Sequence, residues 1–107
     1  MDGSAWEVKL RADTLFASSS RETLLFEKGR FTAAAHAGSG FSASEYSAQS
    51  FDGDVDMIWN ASLPHAERGV MTWHGLVRGD EIEGIAVLWR KDAKPKRFTF
   101  HGTRKSV

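Results

Sequence analysis

At 107 residues the chain has room for one modest hydrophobic core and too little apolar material for two, so a single domain spanning 1–107 is expected. Its 14 Lys and Arg balance its 14 Asp and Glu, which leaves no net field to gather nucleic acid or anionic lipid, and no apolar run approaches the roughly 20 residues that cross a bilayer. The lack of cysteine excludes disulfides, thiolate chemistry and cysteine-ligated zinc.

In chain order, the first element is an alternating strand over 5–11 that places Trp6, Val8 and Leu10 on one face. Asp13 then stands where it can cap a short helical turn over 13–18, ahead of the Ser18-Ser19-Ser20 run. Strands over 22–27 and 30–36 meet at Lys28-Gly29, a two-residue turn in which glycine adopts φ > 0 without penalty and follows the twist of the strands. That register opposes Phe26 to Phe31 and Leu24 to Ala33 on a shared inward face. A second hairpin, 43–51 with 54–63, is expected to close on Asp52-Gly53 and to pair Tyr46 with Trp59 and Ala48 with Met57. A third, 69–78 with 81–90, closes on Gly79-Asp80 and opposes Gly75 to Gly84, Trp73 to Ala86 and Met71 to Leu88. A final strand over 96–103 turns Phe98 and Phe100 inward.

Eight strands in meander order with mostly short connections bury one face best as an all-β, antiparallel up-and-down barrel. A two-sheet β-sandwich is the alternative.

Gly3 and Trp6 at the first strand, with Arg104 just after the last, resemble the calycin superfamily of lipocalins and avidins, in which a first-strand Trp packs near a basic residue of the last strand. The opening Asp2-Gly3-Ser4-Ala5-Trp6-Glu7-Val8 and the stretch from Met71-Thr72-Trp73-His74-Gly75 to Gly84 are also similar to a group of small, mostly exported bacterial β-proteins without an assigned activity. The calycin resemblance implies a barrel, and the likeness to the bacterial proteins implies fold and export, for instance to the periplasm, and nothing about chemistry. The residues Met1-Asp2-Gly3-Ser4 fit either a native cytosolic terminus or an initiator Met on a mature exported segment.

No motif for a catalytic centre or cofactor stands out, and none is expected. His36, His65, His74 and His101 do not share a metal-ligand spacing with one another or with a carboxylate, and no serine lies in a Gly-x-Ser-x-Gly elbow. Arg78-Gly79-Asp80 spells an adhesion tripeptide, yet the turn alone accounts for all three residues. Asn60-Ala61-Ser62 reads as a glycosylation sequon but falls in mid-strand.

Two surfaces carry the functional expectations. The inward residues Trp6, Phe26, Tyr46, Met57, Trp59 and Trp73 would line a pocket for an apolar or flat aromatic small molecule. The opposed Gly75 and Gly84 leave space there for a large neighbouring side chain or for such a ligand. Outward, Val70, Leu76, Ile85, Val87 and Trp89 make an apolar stripe suited to a homodimer contact. The leading expectation is a non-enzymatic small-ligand-binding β-barrel. Its rival is a structural or protein-interaction module with a filled core. An enzyme ranks third, because no acid–base pair in a shared pocket can be named from the residues.

Overall fold

The computed structural model describes residues 1–13, 19–50 and 56–105. Eight antiparallel strands run in meander order, β1 Ser4–Ala12, β2 Ser19–Glu27, β3 Arg30–Ala33, β4 Ser44–Ser50, β5 Met57–His65, β6 Gly69–Arg78, β7 Glu81–Trp89 and β8 Lys96–Arg104. One short helix, α1 Ala34–Gly38, separates β3 from β4. The sheet closes when β8 pairs with β1, so the fold is a barrel and not a sandwich. Closure leaves no open sheet edge, which a small β-domain must otherwise protect against strand addition.

Alternation along β1 decides which side of the wall each residue occupies: Trp6, Val8 and Leu10 are buried while Glu7, Lys9 and Arg11 face out. The first and third hairpins take the expected registers, Phe26 opposite Phe31 and Gly75 opposite Gly84. Lys28 and Gly29 have φ of 53° and 74°, the left-handed pair that a tight hairpin needs.

The second hairpin differs from its expected register. Trp59 stands opposite Ala48, and Tyr46 opposite Ala61, with Ser50 opposite Met57. Six residues therefore separate the last paired positions, where the Asp52-Gly53 reading allowed two. Those two turn residues lie outside the described residues. The displacement is even, so Tyr46 and Trp59 keep the inward parity assigned to them but are diagonal and not direct partners. In this register Trp59 is flanked by two small partners, Ala48 on β4 and Gly75 on β6.

The expected strand over 30–36 stops at Ala33, and Ala34, Ala35 and His36 enter α1. Alanine favours helix when no bulky inward neighbour demands extension. The helical turn expected over 13–18 falls mainly on residues outside the described ones, whereas Ser19 and Ser20 belong to β2. Phe41, for which the sequence carried no assignment, is 4% exposed and enters the core.

Inside the barrel one row explains how so small a wall holds the Trp59 indole. Trp59, Gly75, Gly84 and Phe100 are consecutive partners across β5, β6, β7 and β8. A Cβ built on Gly75 would fall within the Trp59 indole, and one on Gly84 would meet the Phe100 ring. The two glycines thus leave room that the two flanking aromatic side chains occupy. Around them Phe31 lies 5.0 Å from Trp59 and 5.3 Å from Trp73, ring centre to ring centre, in the tilted and edge-on arrangements aromatic rings prefer.

Candidate functional site

The eight residues expected to line a ligand pocket do converge on the barrel interior, but they meet one another there. Trp6, Phe26, Trp59 and Trp73 are fully buried, and Phe26 packs edge-on against both Trp59 and Tyr46 at 4.9 Å. Met57 and Trp6 also reach a depression of about 270 Å³ at one end of the barrel, shared with Met1, Val77 and Arg104. Two polar atoms in this interior stand out: the indole N–H groups of Trp59 and Trp73 are buried and have no hydrogen-bond partner among the described residues.

That end is closed by side chains from three strands. Arg104 is the register partner of Trp6, and its guanidinium lies 4.8 Å from the indole centre, while Trp6 Nε1 donates to Ser4 Oγ at 2.9 Å. Asp2 accepts from the backbone N–H groups of Lys28 and Gly29 and from the Tyr46 hydroxyl, at 2.9–3.0 Å. The bond from Gly29 is the chief reason the Asp2 carboxyl sits below its ordinary value. Burial, and then the hydrogen bond to Asp2, push the Tyr46 hydroxyl up to about 12. The adhesion-like tripeptide is engaged here as well, since Asp80 pairs with Arg104 at 3.4 Å.

At the opposite end α1 packs over β2 and β3, and the barrel holds a carboxylate. Glu22 has the inward parity of Leu24 and Phe26 and is only 4% exposed. It accepts from the Thr23 and Ala35 backbone N–H groups and from His36 Nδ1 at 2.6 Å. Burial works to raise the Glu22 carboxyl, but the His36 bond and the two backbone donors outweigh it and hold the group below its ordinary value. His36 stacks edge-on against Phe41 and Trp73, and only its Nδ1 is engaged among the described residues. No group of three or more metal-ligating side chains forms around this pair among the described residues. Sequence reading named His36 among the candidate histidines but missed Glu22 as its partner, although the signal was there: a glutamate at an inward position of an otherwise apolar strand face.

The outer face of β5, β6 and β7 presents a different chemistry. Every large hydrophobic side chain left exposed among the described residues lies on it: Ile58 at 53%, Trp89 at 50%, Ile85 at 41% and Val70 at 36%. Of the other expected interface residues, Leu76 is half-buried, while Val87 is buried within the fold and contributes little free surface. Ile58 was not in the expected set, yet it follows from parity, since it lies between the inward Met57 and Trp59. Ile58, Leu76 and Ile85 surround an open depression of about 790 Å³ over the Gly75–Gly84 pair, with His74, Glu83 and His101 at its margin. Trp89 lies at the other end of the same face, its Nε1 bonded to Thr72 Oγ1 at 3.0 Å.

No family model matches the chain, and no curated protein or solved structure is significantly similar to it.

Proposed function

We propose that this protein is a filled-core β-barrel acting as a protein-interaction module through the outer face of β5, β6 and β7. The observation that carries this reading is the segregation of Ile58, Val70, Ile85 and Trp89 onto one side of three adjacent strands. Isolated exposed apolar residues are ordinary on a soluble domain, whereas a contiguous group marks a surface that gains by leaving water. The interior supports the same reading from the other direction, because Trp59 and Phe100 already occupy the room beside Gly75 and Gly84. The barrel and the Arg104–Trp6 contact are compatible with a calycin-like origin.

A second reading, a small-molecule binder, is favoured by one observation. The unpartnered indole N–H groups of Trp59 and Trp73 would each gain from an acceptor, since a buried unpaired donor costs about 1–3 kcal/mol. The rings of Phe31 and Phe100 already pack against both indoles, and a ligand would have to displace them. Their π faces are weak acceptors in their own right.

Native mass spectrometry of the protein isolated from its source separates the two readings. The expected result is bare chain, alone or with polypeptide, and no small-molecule adduct. An adduct that persists in the outer-face variant Ile85→Glu would place a ligand inside and overturn the module.

A further inference from the structure

We infer that the polypeptide received by this face is a second copy of the same chain, related by a two-fold axis that lays Trp89 of each copy on the depression of the other. The inference rests on the interaction reading above and names its partner.

The outward residues of β5 to β8 fall into cross-strand rows. Leu76 is opposite Glu83, His74 opposite Ile85, Thr72 opposite Val87 and Val70 opposite Trp89. The depression occupies the first two rows and Trp89 the last. A two-fold axis lying in the contact plane, perpendicular to the strands and between the middle rows, exchanges the first row with the last. It keeps β7 over β7, so Trp89 of one copy comes down over Glu83 and Ile85 of the other. One face thus carries both a half-exposed indole and an apolar hollow, at positions that one symmetry operation superimposes, and that is the requirement of an isologous contact.

Charge follows the same symmetry. The depression end of the face carries Glu83, with Glu81 beyond it opposite Arg78, whereas toward the Trp89 end the outward residue of β8 is Arg97, opposite Val87. The axis that superimposes indole and hollow brings Glu83 of each copy toward Arg97 of its mate. An axis parallel to the strands would set acid against acid. Within one copy Glu83 is partnered by His101 and Arg97 by Val87, two rows apart, so a Glu83–Arg97 interaction would arise only between copies. The bond from Trp89 Nε1 to Thr72 Oγ1 holds the indole in place before contact, which lowers the ordering cost of association.

Sedimentation velocity across the micromolar range tests the inference, with circular dichroism confirming that each variant is folded. Wild type is expected to show a monomer–dimer equilibrium that Trp89→Glu weakens by roughly tenfold or more. Glu83→Arg and Arg97→Glu should each weaken it, and the double reversal should restore it. Monomer throughout the range overturns the inference, as does a dimer indifferent to Trp89→Glu. If the monomer carries another polypeptide in native mass spectrometry, the interaction reading stands without this partner. If it carries an internal small molecule, both fall.

Discussion

Glu22 Oε2 lies 2.6 Å from His36 Nδ1, and through this pair the barrel wall holds the helix that follows β3. The carboxylate also binds the Ala35 N–H, so one buried side chain fastens α1 at two points. Glu22→Ala would leave the half-buried His36 imidazole and two backbone N–H groups without their acceptor and should cost about 1–3 kcal/mol in chemical denaturation. The folded carboxyl titrates below its ordinary value of 4.5. Its stabilisation is therefore present in full above that pH and is lost as the pH falls through the lower folded value. Acid unfolding of Glu22→Gln should be correspondingly shallower than that of wild type below pH 4.5. Equal acid slopes for the two proteins would remove Glu22 from the account.

Tyr46 is the chain's single tyrosine, so tyrosinate absorbance reports this residue alone. Its midpoint should lie near 12 and move back toward 10 in Asp2→Asn. Because the folded value is raised, the contribution to stability is complete below pH 10 and disappears as the pH rises toward 12. A midpoint near 10 in wild type would mean that the N-terminal residues do not close this end of the barrel in solution.

Gly75 and Trp59 should behave as a coupled pair. Trp59→Ala empties the space beside the glycine and should cost about 3–5 kcal/mol. Gly75→Ala pushes a methyl group into the indole and should cost about 1–3 kcal/mol. In the Trp59→Ala background the same Gly75→Ala change should cost far less, a coupling that a double-mutant cycle measures by urea denaturation. Additive effects would indicate that the two residues do not touch.

Arg104 stands over the Trp6 ring and also faces Asp80, which lets the two attractions be ranked. The Asp80 carboxylate is largely solvated, so Asp80→Asn should change stability by about 0.5 kcal/mol or less. Arg104→Ala removes a guanidinium from an indole that is itself fully buried, and should cost about 1 kcal/mol and alter the fluorescence of Trp6. Thermal unfolding of both variants gives the order, and a larger loss for Asp80→Asn would reverse it.

Alternation and glycine turns in the sequence were enough to determine eight strands, their meander order, the registers at Lys28-Gly29 and Gly79-Asp80, and the inward or outward side of the strand aromatics such as Trp6, Phe26, Trp73 and Trp89. The reason is local: a strand has a side-chain period of two, and a two-residue turn admits few backbone conformations. Where the connection was longer, as between Ser50 and Met57, a two-residue turn no longer set the pairing, and the register that puts the small Ala48 and Gly75 on either side of Trp59 was reached only in the folded barrel. The same limit hid the Glu22–His36 pair. Its members are 14 positions apart, and they meet only because the chain leaves the sheet at Ala34 and turns back over β2. The occupant of the barrel interior was likewise a tertiary matter, because parity placed Gly75 and Gly84 inside but could not say whether side chain or ligand fills the room beside them. Closure of β8 onto β1 shaped the volume, and Trp59 and Phe100 occupied it.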